Sequence, residues 1–136
     1  QENYIDRCDN TFIGCYKDKV ANQFYPYIRP QETGNKTDVR WLSLSDDNGF
    51  GIEITGLQPL AFSALHFAPE DLDPGLTRKL QHVIDVFSRK NIFLHVDLKQ
   101  RGLGGDNSWG MYPHKEYRLF DKKYIYSYKI KLVSNR

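Results

Sequence analysis

The sequence has few cysteines and no long apolar run, and each shortage excludes a class of protein. Cys8 and Cys15 are the only cysteines, too few for a disulfide scaffold. Their spacing fits a small closed loop or two unrelated thiols equally well. No apolar run approaches the length of a membrane span, and residues 1–4 are neither basic nor apolar enough for a signal peptide. The chain is therefore expected to be either a mature protein or a fragment.

An excess of one charge is also missing. The 19 basic and 17 acidic residues are interspersed and give a net charge of +2. No basic stripe favours nucleic-acid binding, and no charged block favours a membrane surface. We therefore expect neither nucleic acid nor membrane as a partner.

The chemistry of a self-sufficient active site is missing as well. There is no nucleophile elbow with a Ser-His-Asp order and no phosphate loop. Asp97 and Asp106 are the only acidic pair near a glycine-rich stretch, and their places at a strand end and in a turn are typical of backbone caps. His95 and Asp97 share one strand face and could both contact a metal, but two ligands do not make a site. The other histidines are His66, His82 and His114, and none has a spacing that completes a metal site. His66 is expected to be a packed histidine.

The residues that are present favour β-structure. Of 136 residues, 14% are aromatic and 40% are hydrophobic, as in an ordinary globular domain. Aromatic and β-branched runs predict strands at 11–17, 23–28, 37–44, 50–55, 60–67, from about 82, 92–98, 115–120 and 124–133. The only helix predicted is a short turn near 69–72. The sequence therefore predicts one all-β domain over 1–136, an antiparallel β-sandwich or part of one.

One stretch combines a permissive backbone with a large aromatic side chain. Four glycines fall between Gly102 and Gly110, which indicates a sharply folded loop with close backbone approach. Trp109 lies in this glycine loop next to Asp106, Asn107 and Ser108. An apolar face beside several hydrogen-bonding groups is what a sugar ligand needs. The alternative is a tryptophan of the core or its rim, with glycines that only let the chain turn over it.

Three stretches of the sequence resemble a known family. They are the run from Gln23 to Trp41, Phe62-Ser63-Ala64, and Gly104-Gly105-Asp106-Asn107-Ser108-Trp109 with Pro113-His114. Together they look like the carboxy-terminal domain of the large β-galactosidases of glycoside hydrolase family 2. The likeness runs from residue 1 almost to the end of the chain.

The resemblance implies the later part of a galactose-mutarotase-like β-supersandwich, a carboxy-terminal fragment of a β-galactosidase found in the bacterial cytoplasm or periplasm. It implies that the catalytic glutamates and the magnesium and sodium sites belong to a preceding barrel and its neighbours, so this chain would hold no cofactor. The family's domain lends a tryptophan to the sugar site from a Gly-Gly-Asp-Asp-Ser-Trp motif, and Trp109 is the matching residue. Asn107 replaces the second aspartate, which keeps an acceptor but loses a charge.

Two interpretations from different classes follow. In the first, Trp109 stacks on a β-galactoside or galactose at the mouth of the barrel while Asp106, Asn107 and Ser108 fix the loop. In the second, the chain is a stand-alone carbohydrate-binding or structural sandwich. A mutarotase-like activity rests on fold analogy alone, and no acid and base support it. Because a cut supersandwich exposes strand edges, we also expect the chain to self-associate.

Overall fold

The fold is taken from a computed structural model that describes residues 2–9, 11–25, 33–73, 82–104 and 110–134. These residues contain four strands: β1 (Lys36–Ser45), β2 (Gly51–Leu65), β3 (Phe93–Asp97) and β4 (Tyr128–Val133). All pairings are antiparallel, which confirms the predicted all-β class. The helix α1 (Pro69–Leu72) forms where a helical turn was predicted.

The sheet is organised around β2, its longest strand. β1 pairs along one side of β2, while β3 and β4 share the other side. β3 pairs with the second half of β2, from Ala61 to Leu65, and β4 pairs with the first half, from Gly51 to Gly56. β2 is therefore the strand to which the other three strands of this open sheet are hydrogen-bonded.

The connection between β1 and β2 follows from local turn chemistry. The Asp46 carboxylate accepts hydrogen bonds from the backbone N–H groups of Asn48 and Phe50, both at 2.9 Å. Gly49 has φ of 81°, in the left-handed region that glycine adopts without strain. Residues 46–49 therefore form the hairpin loop between β1 and β2.

The two strands predicted at 50–55 and 60–67 form one continuous strand, β2, although Gly56 and Pro59 lie between them. Gly56 and Pro59 lie in an irregular bulge of β2: Trp41 pairs with Thr55, and Val39 pairs with Leu60, so the register shifts between these two pairs. A Cβ on Gly56 would lie 2.2 Å from the Gln58 carbonyl oxygen, so the bulge needs glycine.

The core lies on one face of this sheet. Leu42, Ile54 and Leu60 are buried there at 5%, 1% and 1% exposure. Partly buried residues from three strands surround them: Val39, Leu44, Ile52, Phe62, Leu94 and Val96. Burial of each such side chain contributes about 1.5 to 3 kcal/mol.

Other predicted strands are absent from the described residues, and 3₁₀ turns stand in the place of two of them. Residues 11–17 contain no strand, and Phe12 is 80% exposed. Residues 23–25 are also outside any strand, and 26–28 lie outside the described residues. The strand predicted from 82 is a 3₁₀ turn, Val83–Asp85, where the Asp85 carboxylate accepts from His82 N–H. At 115–120 the structure has a 3₁₀ turn, Lys115–Tyr117, instead of the predicted strand. Of the strand predicted at 124–133, residues 124–127 precede β4 and are not part of it.

Two further observations concern features raised by the sequence. Cys8 and Cys15 are separate thiols, not a disulfide. Within the described part of the chain, no helix has both the length and the apolar character needed to cross a membrane.

Candidate functional site

The predicted sugar-binding residues form one contiguous run, and the structure describes the parts of the chain that precede and follow this run. Asp106, Asn107, Ser108 and Trp109 lie outside the described residues. The chain is described up to Gly104 and again from Gly110. We call these two flanking parts, 102–104 and 110–118, the stem of the glycine loop.

A carboxylate from the start of the chain holds the first part of the stem. Asp6 Oδ2 accepts a hydrogen bond from Gly104 N at 2.7 Å, and Asp6 Oδ1 accepts one from Leu103 N at 3.2 Å. Hydrogen bonds to an ionised acceptor are roughly twice as strong as neutral ones. The Leu103–Gly104 peptide is therefore held by a residue almost 100 positions away.

This contact explains two of the glycines in the loop. A Cβ on Gly102 would lie 2.6 Å from Asp6 Oδ2, and a Cβ on Gly104 would lie 2.8 Å from the same atom. Real Cβ atoms do not approach so closely. The close backbone approach predicted from the glycines is confirmed at these two positions, and Asp6 is what approaches.

Asp6 is itself carried by a fixed segment. Tyr4 and Arg7 form a small bridge around it, with Arg7 N donating to the Tyr4 carbonyl at 2.8 Å. Tyr4 and Asn3 are only 4% and 6% exposed. The Asn3 side chain accepts from Thr37 N at 2.8 Å, which joins this segment to β1.

Charged side chains fix the peptide that precedes β1. Glu2 accepts from Gly34 N at 2.7 Å, and Lys36 Nζ donates to the Gly34 carbonyl, also at 2.7 Å. Burial lowers the pKa of Lys36, and the negative charges of Glu2 and Asp18 oppose that shift. Gly34 has φ of 73°, a conformation that glycine adopts without strain, and its two hydrogen-bond partners hold it in place.

The second part of the stem is fixed by contacts of its own. Gly102 N donates to the Tyr117 carbonyl at 2.8 Å, which joins the two parts directly. Arg118 Nε donates to the Pro113 carbonyl, and its guanidinium lies 5.1 Å from the centre of the Tyr112 ring. Gly110, directly after Trp109 in sequence, has φ of 108°.

The other polar residues singled out in the sequence do not assemble into a metal site among the described residues. His95 and Asp97 lie on one face of β3 as predicted, opposite Ser63 and Ala61. No group of three potential ligands occurs in the part of the chain that is described. His66 is half-buried, and its Nδ1 lies 3.3 Å from the Asn91 carbonyl.

A cavity of about 480 Å³ opens between α1 and the sheet, well separated in sequence from the glycine loop. Its lining includes Ser63 and His95 from paired strands, Phe93, and Glu70 from α1. None of its described lining residues belongs to the stem of the glycine loop.

Sequence reasoning missed the residues that hold the stem. Asp6, Tyr117 and Arg118 stand in no motif, and their contacts link positions that no local pattern connects. The glycine spacing was the only signal, since it predicted that something must approach closely.

Comparisons with known proteins place these observations in a family context. A family model described as β-galactosidase small chain matches residues 1–131. A β-galactosidase of Priestia megaterium is 36% identical over 131 residues, 96% of this chain. BgaC, a β-galactosidase of Bifidobacterium adolescentis, is 34% identical over 88% of the chain, and one of Lactobacillus delbrueckii subsp. bulgaricus is 35% identical over 90%. The chain spans 12%, 11% and 11% of the lengths of these three relatives.

Proposed function

Because this chain belongs to the β-galactosidase small-chain family, we propose that it is the carboxy-terminal domain of a β-galactosidase. That enzyme would hydrolyse terminal non-reducing β-D-galactose residues in β-galactosides. The curated relatives with which the chain aligns are named β-galactosidases and are about eight to nine times as long as the aligned region. The two catalytic carboxylates that glycoside hydrolysis needs are assigned to the rest of such an enzyme.

The contribution of this chain is the glycine loop. In the proposal, Trp109 stacks its ring on the apolar C–H face of a pyranose, while Asp106, Asn107 and Ser108 fix the loop by hydrogen bonds. Stacking does not move a proton or break a bond, so the loop sets substrate affinity and acceptor choice. The catalytic barrel of the same parent chain is the partner that the loop would complete.

The observation that carries this proposal is the double attachment of the stem. Asp6 holds Gly104, and the Tyr117 carbonyl, which follows the loop in sequence, accepts from Gly102 N–H and so joins the two parts of the stem. A ligand-binding loop gains affinity when its ends are fixed before the ligand arrives, because less conformational entropy is lost on binding. The fixed stem therefore supports a binding role for the residues it presents.

Trp109→Ala in the full-length enzyme tests the proposal. We expect the KM for lactose to rise about tenfold or more, the equivalent of about 1.4 kcal/mol of lost binding, with little change in thermal stability. Trp41→Ala is the matched control, because Trp41 is a second, half-exposed tryptophan on β1. A loss of about 3 to 5 kcal/mol in stability for Trp109→Ala would mark a core residue instead.

The stand-alone alternative is tested on the chain by itself. Titration with galactose and lactose, followed by tryptophan fluorescence, distinguishes the two interpretations. Millimolar or tighter binding without a barrel would favour a carbohydrate-binding module. Absence of binding, together with a raised KM in the full-length Trp109→Ala variant, favours a loop that needs its catalytic partner.

A further inference from the structure

The cavity of about 480 Å³ beside α1 lies on the face of the sheet opposite to the core. Phe62 and Leu94 pack with the core. Because side chains alternate along a strand, their neighbours Ser63 on β2 and His95 on β3 point to the other face, where both line the cavity. Small-molecule sites usually have volumes of about 300 to 1,000 Å³, so the cavity has the size of a binding site.

Ser63 gives the floor of this cavity a polar group that is buried. Its residue is 3% exposed, and no hydrogen bond joins its hydroxyl group to another part of the chain that the structure describes. A buried hydroxyl without a partner is unfavourable, and a ligand that bonds to it removes that penalty. The hydroxyl group of Ser63 is therefore a point at which a polar atom of a ligand would be held.

The wall that α1 forms is fixed by contacts within the protein. The Asp71 carboxylate accepts a hydrogen bond from Ala68 N at 2.8 Å and another from the guanidinium of Arg89. Arg89 N donates in turn to the His66 carbonyl at 2.7 Å, directly after the end of β2. Binding to a site that is already formed costs less conformational entropy. The cavity is thus preorganised for a ligand.

Two aromatic rings give the cavity flat apolar surface. The Phe67 ring stacks on the ring of Phe24, with 4.2 Å between their centres. The Phe93 ring lies 5.5 Å from the guanidinium of Arg89. Each ring is therefore held by a residue outside the described lining of the cavity. Aromatic surface of this kind suits the apolar C–H face of a sugar ring.

The polar groups of the lining suit hydroxyl groups better than an anion. The Ser63 hydroxyl both donates and accepts, a neutral His95 ring has one donor and one acceptor nitrogen, and the Glu70 carboxylate accepts. The described lining residues include no lysine or arginine, so a phosphate or carboxylate would meet no positive counter-charge there. Sugar hydroxyl groups donate and accept at once, and they match this mixed set.

We propose that this cavity binds a neutral pyranose sugar, with one sugar hydroxyl bonded to Ser63 and the C–H face of the ring against Phe67 and Phe93. The site is separate from the glycine loop and does not depend on Trp109, so the inference goes beyond the proposed function. The sugar is bound and released unchanged. Because stacking does not demand one hydroxyl pattern, the ligand need not be a galactoside.

Calorimetric titration of the full-length enzyme with methyl α-D-glucopyranoside tests the proposal. This sugar contains neither galactose nor a β-linkage, so it is not a substrate of the proposed β-galactosidase. We expect millimolar binding that Ser63→Ala weakens about fivefold or more, because one hydrogen bond is lost. Ser43→Ala is the matched control, since Ser43 is an exposed serine of β1 on the same face of the sheet and outside the described lining. Its binding constant should equal that of the wild type.

His95→Ala provides a second variant of the same site, should Ser63→Ala fail to fold. Its side chain is exposed, so its removal spares the core, and it is expected to weaken the same binding. Binding of the sugar that neither variant weakens would overturn the proposal. Binding of tetramethylammonium in place of the sugar would also overturn it and would identify a site for organic cations. Binding of neither probe would show that the cavity holds only water, with the same consequence.

Discussion

Asn3 and Asn35 exchange two hydrogen bonds in the interior of the protein. Asn3 N donates to the Asn35 carbonyl, and Asn35 Nδ2 donates to the Asn3 carbonyl, both at 2.9 Å. Asn35 is fully buried, and Nδ2 has a second partner in Thr37 Oγ1 at 3.1 Å. Residues 35–37 match the N-glycosylation acceptor pattern, but in the folded chain this nitrogen is buried and bonded, so a glycan on it is incompatible with these contacts.

Asn35→Ala is expected to destabilise the protein by about 2 to 4 kcal/mol, because two hydrogen bonds are lost and the buried Asn3 carbonyl loses its partner. Urea unfolding at one protein concentration measures the change. Asn91→Ala is the control, since Asn91 is exposed, and its effect should stay within about 0.5 kcal/mol. An equally small effect for Asn35→Ala would show that the exchange does not stabilise the fold.

Gly104→Ala tests why the loop has glycine next to Asp6. We expect it to destabilise the wild type but to be tolerated together with Asp6→Ala, because the next nearest atom is the flexible end of Arg7 at 3.4 Å. The coupling between the two changes is expected to be about 1 to 3 kcal/mol in a double-mutant cycle of unfolding free energies.

Gly102→Ala provides the contrast in the same experiment. Its Cβ would also lie 2.9 Å from Tyr117 Cβ, so it should remain destabilising after Asp6 is truncated. Additive effects of Gly104→Ala and Asp6→Ala would contradict the steric account of this glycine.

Local turn chemistry made part of the fold predictable. Asp46 and Gly49 lie within the turn they create, so the hairpin between β1 and β2 could be predicted from adjacent residues. The error at Gly56 has the opposite cause. Its bulge is stabilised by Leu57 N–H, which donates to the carbonyl of Ser127, and no local pattern predicts a partner 70 residues away.

In the predicted site, too, features set by neighbouring residues could be predicted and features set by distant residues could not. The glycine pattern predicted a close approach at 102–104 but could not identify Asp6, because the approaching carboxylate is distant in sequence. Strands were wrongly predicted at 11–17 because aromatic residues favour β-structure only where a partner strand pairs with them. Asp18 instead bonds to Lys19 N–H and to the Asn22 side chain. The role of Trp109 stays a prediction.

The Asp71–Arg89 pair is expected to give the stability of α1 a dependence on pH. The hydrogen bond from Arg89 holds the pKa of Asp71 below its usual value, and the Ala68 N–H contributes in the same direction. A carboxyl whose pKa is lower in the folded state stabilises the protein above its unfolded pKa of about 3.9 and loses that contribution as the pH falls through the folded value.

Asp71→Asn should therefore be less stable than wild type at neutral pH, and the difference should shrink as the pH falls below about 4. Melting temperatures of both proteins across this pH range measure it. Asp47→Asn serves as the control for the removal of one exposed negative charge. A difference between wild type and Asp71→Asn that is constant with pH would show that the charge of Asp71 does not contribute.

The exposed apolar side chains of β4 predict that the chain self-associates. β4 pairs with β2 along one edge, and its Ile130 and Leu132 are 57% and 82% exposed on the face that carries the core. An apolar edge strand of this kind is a template for pairing with another chain. We expect the sedimentation coefficient of the chain to increase with its concentration. The double variant Ile130→Lys with Leu132→Lys is expected to shift the chain towards the monomer. Lys129→Gln with Lys131→Gln, on the opposite face of β4, should leave association unchanged, whereas a wild-type monomer at all concentrations would contradict the expectation.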